Sequence, residues 1–264
     1  MTATQAREAY EDTLRTYSEA SVEVCFNAFK DVPWNDPAYA VDLDDPRWIL
    51  PEADVIGASE WYRSLPVERQ IAVGRHRLSS ITKTGSQFEQ LLLMGGTQFL
   101  MGLPNGDPEF RYLMHELTEE THHIQMFQEF TNRVCPEVSG VPRWLLHVFP
   151  VVAFVGKFFP ALFFMVILAG EEPIDHAQKG ILRFGRVHPL LERIMAIHVA
   201  EEARHIGFAH AWLLHHGPRV GAVSRFLISL LTPFMMRIGA GAIIKPSRRD
   251  RRMMGMPRSA VRRA

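Results

Sequence analysis

Apolar side chains recur at helical spacing along most of this chain, and no stretch between residues 66 and 216 alternates in the manner of a strand. Turn and capping signals divide that region into six predicted helices, at about 66–82, 84–102, 107–134, 143–156, 158–184 and 188–216. A helix at 7–30 is predicted before them, within an N-terminal segment 1–30, and an apolar helix at about 220–244 after them. The pattern therefore predicts an all-α protein.

Residues 31–66 break this helical pattern. The segment contains five prolines, with Trp34, Trp48 and Trp61 between them. Tryptophan side chains are usually buried, and flexible linkers rarely carry them. We therefore predict an irregular strap that packs on the helices through its aromatic rings.

Length and composition fit one globular unit. With 264 residues, 47% of them hydrophobic, the chain can bury a sizeable core, and we predict a single domain over residues 1–264. A formal net charge of zero argues against a general nucleic-acid binder. Cys25 and Cys135 are too few for a disulfide framework, and the polar start is unlike a secretory signal. We expect a cytoplasmic protein.

One apolar run raises the question of a membrane. Residues 148–169 are almost wholly apolar and are about long enough to span a bilayer. Pro150 and Pro160 interrupt the run, however, and Lys157 lies near its centre. We expect a buried core helix instead, because the middle of a large bundle requires a helix that is apolar on all sides.

The C-terminal segment 245–264 is strongly basic. Its arginines face a single acid, Asp250. We expect a solvated, mobile tail, and contact with nucleic acid or acidic lipid is the weaker alternative. The arginines are Arg248, Arg249, Arg251, Arg252, Arg258, Arg262 and Arg263.

The chain contains one arrangement of glutamate and histidine twice. In each copy a lone glutamate precedes a Glu-x-x-His motif, and the interval between them is the same in both copies, with no insertion or deletion. Residues three apart on a helix share one face, so each motif presents both side chains to the same space. The residues are Glu89, Glu120 and His123 in the first copy, and Glu171, Glu202 and His205 in the second.

This spacing also predicts two turns. The midpoint between the glutamates of the first copy falls between Pro104 and Asn105, and that of the second between Arg186 and Val187; both lie among glycines and prolines. Antiparallel helices rise equally per residue, so residues equidistant from a turn lie at the same height. Each predicted hairpin therefore brings its carboxylates level.

A metal centre accounts for the repeat better than solvated salt bridges do. Glu89 lies among apolar residues and Glu171 ends an apolar run, where an unpaired carboxylate would be costly. Glu172, which directly precedes a proline, is the alternative to Glu171. Four facing carboxylates would repel without a cation. The motifs and the long connection after His123 match the plan of ferritin-like dimetal proteins, so we predict a ferritin-like four-helix bundle at 66–244 with additional N- and C-terminal helices.

Comparison of the two copies chooses the register. Glu119 and His122 have the same spacing as Glu120 and His123. His122 aligns with Arg204 of the second copy, and an arginine has no free electron pair for a metal ion. Glu120 and His123 are therefore the predicted ligands.

Glu119, its counterpart Glu201 and Arg204 become candidates for contacts just outside the ligands. We hypothesise that each glutamate accepts a hydrogen bond from the ligating histidine of the opposite hairpin, which would fix the imidazole tautomer. The pairs would be Glu119 with His205, and Glu201 with His123.

The copies differ four residues before each Glu-x-x-His, where Glu116 stands in the first and His198 in the second. His198 shares a helical stripe with Glu202 and His205, so it is predicted as a third imidazole of the centre. Taken alone, such a histidine would more often be a structural residue. Four carboxylates and three imidazoles suit two ions of iron, or of manganese, better than structural zinc. Iron would add O2 as a co-substrate.

This set of seven ligands, with its third histidine beside the second Glu-x-x-His, resembles that of the AurF-type diiron N-oxygenases, the p-aminobenzoate N-oxygenase family, over about residues 65–215. The resemblance implies a ferritin-like fold, a diiron centre and O2-dependent oxidation of an amine to a hydroxylamine or nitro compound. It also implies a homodimer. A small-molecule substrate and a separate electron donor are the other expected partners.

Two further functions stay open on the same scaffold. An iron-storage or ferroxidase bundle needs only four helices, so the strap and His198 count against it. A diiron hydroxylase or oxidase of an apolar or fatty substrate, including one that works at a membrane surface, fits the apolar run at 148–169 and the basic tail.

Overall fold

The computed structural model describes residues 2–257 and residue 260. These residues form α-helices joined by turns, short 3₁₀ segments and the strap, and they contain no strand, which confirms the all-α prediction. The helices are α1 Ala3–Glu23, α2 Glu60–Arg63, α3 Val67–Leu100, α4 Pro108–Val134, α5 Arg143–Phe158, α6 Pro160–Phe184, α7 Pro189–His216, α8 Ala222–Ile244 and α9 Arg248–Met254.

Helices α3, α4, α6 and α7 form the core of the bundle. Helix α3 packs along α4, α6 packs along α7, and α4 also contacts α7. The connection between the two hairpins contains α5, which packs against α3. Helix α1 lies against α4 and α7, and α8 lies against α6. This is the predicted ferritin-like arrangement, a four-helix core with additional N- and C-terminal helices.

The two hairpin turns lie where the sequence predicts them. Gly106, between α3 and α4, has a φ of 84°, and Gly185, directly after α6, has a φ of 62°. A positive φ strains a residue that has a Cβ, so glycine permits both turns. Helices α4 and α7 then each begin with a proline.

The helix break predicted at residue 83 does not exist, because residues 67–100 form one continuous helix. Hydroxyl side chains on both sides of residue 83 bond within the helix. Thr82 donates a hydrogen bond to the carbonyl of Leu78, and Ser86 donates one to the carbonyl of Lys83. With these hydroxyls satisfied, packing against α4 decides the conformation of α3.

The first helix is shorter than the prediction of 7–30, since it ends at Glu23. Val24 is extended, and the side chain of Asn27 accepts hydrogen bonds from the backbone N–H groups of Phe29 and Lys30. An asparagine-centred turn of this kind competes with the helix, and hydrophobic spacing does not reveal it.

The strap at 31–66 lies on the bundle through its tryptophans. Trp48 is fully buried and stacks on His188, with ring centroids 4.2 Å apart, where α7 begins. Trp34 is also buried, and its indole N–H donates to the carbonyl of Ala28. The strap therefore covers the end of the bundle that holds the turn between α6 and α7.

The expectation of a mobile basic tail is wrong for the first part of that segment. Residues 248–254 form α9, which packs on α3. The carboxylate of Asp250 is buried 3.0 Å from His76 Nε2, and Met254 and Met256 are buried as well. Asp250 and the two methionines therefore hold the segment on the bundle. The many arginines around them led to the prediction of a solvated tail. Beyond them, Arg258, Arg262 and Arg263 lie outside the described residues.

The apolar run at 148–169 is not one helix, because α5 ends at Phe158 and α6 begins at Pro160. Nor is it fully buried: Phe149 and Phe164 are in the core, whereas Val151 and Phe158 are more than half exposed. The expectation of a buried core helix is therefore correct for one side of this segment only. A proline in the first turn starts the second helix and ends the first.

A different segment has the length and composition of a membrane span. Ala222–Met254 contains an 18-residue window with a mean hydropathy of 1.7, of which 6% is buried. Its exposed apolar side chains include Val223, Phe226 and Leu230. Length and composition alone do not distinguish a spanning helix from a helix that packs on a soluble protein.

Gly74 of α3 allows the strap to approach the helix, because a Cβ there would overlap the carbonyl oxygen of Trp48. We expect Gly74→Ala to lower the free energy of unfolding by about 2 kcal/mol, since over-packing against backbone forces it to move. Gly180→Ala in α6 is the matched control: its methyl group meets nothing within 4 Å and should stabilise the helix by about 0.5–1 kcal/mol. Chemical denaturation measures both, and equal stabilities would contradict the close approach.

Candidate metal centre

Seven buried side chains come from the middle of the four core helices. Helix α3 supplies one, α4 two, α6 one and α7 three, and none is more than 7% exposed. The hairpin turns bring them to one height, because each turn lies midway between its paired glutamates. They are the predicted ligands Glu89, Glu120, His123, Glu171, His198, Glu202 and His205.

Six of the seven form two groups of possible ligand atoms. The atoms of each group lie within 4.8 Å of one another. His123 belongs to both groups, so two cation positions would lie side by side. The first group is Glu120, His123, Glu202 and His205, and the second is Glu89, His123 and His198.

Both Glu-x-x-His motifs turn the same imidazole nitrogen to the centre. His205 Nδ1 lies 2.9 Å from Glu120 Oε1 and 3.3 Å from Glu202 Oε1. His123 Nδ1 lies 3.3 Å from Glu120 Oε2 and 3.7 Å from Glu202 Oε1. Glu120 and Glu202 therefore lie between the two histidines, where a carboxylate can bridge two ions.

The third histidine also reaches the centre. His198 Nε2 lies 3.0 Å from Glu89 Oε1 and 3.6 Å from Glu202 Oε1. The ring of Phe127 lies beside it, with centroids 5.0 Å apart, and is itself buried. His198 is thus placed between two candidate ligands and an apolar wall.

The carboxylate of α6 that faces the centre is Glu171. It belongs to neither group of ligand atoms, but it is buried, and its carboxyl is repelled by Glu202 and Glu120. Glu172, the alternative, is half exposed and contacts His210 at 2.5 Å. It therefore points away from the bundle interior.

Two further glutamates hold the outer nitrogens of the histidines. His123 Nε2 lies 2.8 Å from Glu201 Oε2, and His205 Nε2 lies 2.8 Å from Glu119 Oε2. A carboxylate only accepts, so each Nε2–H donates, and Nδ1 is the nitrogen of each ring that is left for an ion at the centre. These are the two pairs that the sequence comparison suggests. His122 turns outward, and its Nδ1 accepts from a backbone N–H of the segment after α1.

The N-terminal segment supports these outer glutamates. Arg204 donates to Glu119 Oε1 at 2.8 Å and to Ser21 Oγ at 3.1 Å. The backbone N–H of Phe26 donates to Glu201 Oε1 at 3.1 Å. Ser21 and Phe26 were not predicted from the sequence. Phe26 contributes a backbone N–H, which does not depend on the residue type, and nothing in the pattern of α1 distinguishes Ser21 from its other polar residues.

Burial dominates the electrostatics of the acids. It raises the pKa of Glu89 to about 7, against the opposing effect of His198, and raises the pKa of Glu116 to about 8. Burial, followed by repulsion from Glu202, also holds the pKa of Glu171 well above its usual value. These carboxyls are difficult to ionise unless a cation is near.

The histidines show the opposite balance. Burial alone would lower the pKa of His123 and His205, but the neighbouring carboxylates outweigh it and hold both pKa values well above the ordinary value. The pKa of Glu120 is lowered, because hydrogen bonds from both histidines outweigh its burial. In the absence of a metal ion, protonated His123 and His205 can therefore supply positive charge beside Glu120.

The set of side chains fits two transition-metal ions. Glu89 Oε2 and Glu202 Oε2 are buried and have no hydrogen-bond partner in the part of the chain that the structure describes. Leaving such an oxygen unsatisfied is costly, and a cation removes the cost. Carboxylates combined with imidazoles suit iron or manganese, with carboxylates between the ions.

Comparison with known proteins gives a family and several relatives. A family model described as P-aminobenzoate N-oxygenase AurF matches residues 7–264. Uncharacterized proteins of Mycobacterium tuberculosis and Mycobacterium bovis are each 48% identical to the chain over 238 residues, which cover 90% of this chain and 70% of theirs. No solved structure matches.

The outer glutamates should matter for metal affinity, although they do not face the centre. We expect Glu119→Gln to weaken the binding of Mn(II) by about 10–100-fold, because His205 loses the charged acceptor that orients it. Glu172→Gln removes an exposed carboxylate of α6 and serves as the control, with no expected change. Calorimetric titration measures both variants, and equal affinities would show that Glu119 does not support the centre.

Without metal, the protein should lose stability as the pH rises from about 6 to 9. A carboxyl whose pKa is higher folded than unfolded binds its proton more tightly when folded, so its contribution is lost as the pH rises to the folded value. Glu89 and Glu116, at about 7 and about 8, act in this direction, and the raised pKa values of His123 and His205 have the same sign.

The measurement is the thermal unfolding midpoint across this pH range, with and without saturating Mn(II). The ion replaces the protons of the centre, so the decline should be much smaller in its presence. A midpoint that stays constant with pH in the chelated protein would contradict the prediction.

Proposed function

The chain belongs to the p-aminobenzoate N-oxygenase AurF family, and from this membership we propose that it is a diiron oxygenase that transfers oxygen to the amino group of a small aryl amine. The membership supports an oxidoreductase with a diiron centre, and the buried cluster of histidines and glutamates agrees with it. The amine substrate and N-oxygenation follow from the family description.

The observation that carries this proposal is the pair of ligand groups that share His123. One carboxylate–imidazole group would suffice for a single structural ion. Two adjoining groups, fully buried between four helices, instead suit a pair of ions that act on one small molecule. The four-helix scaffold alone would not support this conclusion, since one fold can serve many functions.

We assign each iron one imidazole from a Glu-x-x-His motif. Glu120 and Glu202 would bridge the ions, as their position between His123 and His205 favours. The remaining ligands would be Glu89 and His198 on the iron at His123, and Glu171 on the iron at His205. When bound, the two irons supply the electrons that reduce O2 and the positions at which one of its oxygen atoms is transferred.

The protein's own contribution is orientation and exclusion of water. Glu119 and Glu201 hold the two imidazole rings through Nε2–H, so that Nδ1 of each ring faces the ion that replaces its proton. Phe127 of α4 is buried beside the ring of His198. A dry site protects reactive oxygen from side reactions with water and protons.

The same proposal includes a cytoplasmic protein that receives electrons from a separate donor and works as a homodimer. Apolar side chains more than half exposed along α5 support contact between copies, because monomers rarely expose such a row. They are Trp144, Val151, Phe154 and Phe158.

The test is reconstitution under anaerobic conditions with two equivalents of Fe(II), followed by O2 and p-aminobenzoate or aniline. O2 consumption together with a hydroxylamine or nitro product, identified by mass spectrometry, would support the proposal. Iron oxidation without an organic product, in a cage-sized assembly on size-exclusion chromatography, would instead identify an iron-storage protein. Oxygenation of a fatty substrate alone would replace the amine.

His198→Ala tests the third imidazole. Loss of this ligand should lower the affinity for one of the two irons by at least about 10-fold. Removal of a residue that only hydrogen-bonds to a metal ligand already lowers the affinity by that much. O2 consumption should fall as well. His210→Ala, on the same helix but exposed, is the matched control and should bind iron normally. Unchanged iron content and O2 consumption in His198→Ala would remove His198 from the ligand set.

A further inference from the structure

One buried carboxyl at the centre has no role among the seven ligands. Glu116 is 2% exposed, and its Oε2 has no hydrogen-bond partner among residues 2–257 and 260. It stands on α4 one turn before Glu120, so the two side chains lie on one face of the helix. A charged carboxylate in such a position is unfavourable unless a cation or a hydrogen-bond donor approaches it.

Three other buried glutamates of this chain have partners for both carboxylate oxygens. Glu109, two turns earlier on α4, accepts hydrogen bonds from Tyr10, Trp212 and His216. Glu119 and Glu201 each contact a histidine and a second donor. Among the buried glutamates, the oxygens without a hydrogen-bond partner in the described residues belong to Glu116 and to the candidate ligands Glu89, Glu120 and Glu202. In this respect Glu116 resembles the candidate ligands and differs from Glu109, Glu119 and Glu201.

The repeat assigns a position to Glu116. The offset along the chain that relates Glu89 to Glu171 and His123 to His205 also relates Glu116 to His198. Glu89, His123 and His198 form one of the two groups of ligand atoms. Their counterparts across the repeat are Glu171, His205 and Glu116, and the histidine whose charge acts most strongly on Glu116 is His205. Glu116 thus holds the position in the first copy that His198 holds in the second.

We propose that Glu116 is an eighth ligand, an oxygen donor to the ion at His205, in the place that His198 takes on the ion at His123. This inference rests on the proposed diiron function. The two ions then differ in kind: the ion at His123 has two imidazoles, whereas the ion at His205 has one imidazole and an additional carboxylate. Hard oxygen ligands favour Mn(II) and Fe(II) over softer ions, so the second position is the more selective one for these metals.

The experiment uses the full chain and Glu116→Gln, with Mn(II) and Fe(II) added separately under anaerobic conditions. The wild type should bind two ions. Glu116→Gln should keep one ion at wild-type affinity and bind the other about 10–100-fold more weakly, as for a lost contact at a metal. In the Mössbauer spectrum of the Fe(II) protein, only one of the two iron sites should change.

Glu109→Gln is the matched control, since it replaces a buried carboxyl of the same helix that contacts no candidate ligand. It should bind both ions normally, although it loses stability. Glu116→His provides the rescue, because an imidazole there would copy His198 and should restore the second ion. Circular dichroism of each chelated variant shows that the helices persist.

The possible results separate the two proposals. If the wild type does not bind two ions, the diiron function itself fails. If it does, and Glu116→Gln binds both with unchanged affinity and spectrum, Glu116 is no ligand and only the inference is overturned. Equal losses in Glu116→Gln and Glu109→Gln would also overturn it, because the effect would then belong to the helix.

Discussion

Five carboxyl groups buried in the middle of a helical bundle are the constraint on which this structure depends. Taking a carboxylate out of water costs several kcal/mol, so each must be protonated, paired or bound to a cation. Glu120 is paired with two imidazoles, and Glu89 and Glu116 have pKa values raised into the neutral range. These compensations act over a few ångströms, so the height and rotation of the four helices are fixed by them. The carboxyls are Glu89, Glu116, Glu120, Glu171 and Glu202.

Support for the centre extends outward in layers to the N-terminal segment. The imidazoles of His123 and His205 each contact an outer glutamate, and these glutamates in turn contact Arg204 and the backbone of Phe26. Helix α1 and the residues after it are therefore part of the site, although they contribute no candidate ligand. The family match begins at residue 7 and so includes most of α1. Metal affinity and the folding of this N-terminal segment should be coupled through these bonds.

The sequence predicts the part of the structure that depends on periodicity. The spacing of Glu89 and Glu120 locates the first turn, and the comparison of copies separates His123 from His122, which turns outward in the structure. Features that depend on distant partners were not predictable. The carboxylate of Asp250 appears solvated among arginines until His76 is known to lie 3.0 Å away. Likewise, the continuity of α3 depends on its packing against α4. The donor to Glu201 is a backbone N–H, which every residue type except proline has.

The level placement of paired glutamates has a consequence for how such chains can vary in length. One residue inserted within a hairpin helix between a glutamate and its turn would move that carboxylate by about 1.5 Å along the axis and turn it by about 100°. A compensating residue in the partner helix would restore the height but not the facing direction. The segment 135–142, which leads from α4 to α5 within the connection between the hairpins, is under no such restriction. Insertions and deletions among related chains should therefore be concentrated there and in the strap. The number of residues between positions 89 and 120, and between 171 and 202, should not change.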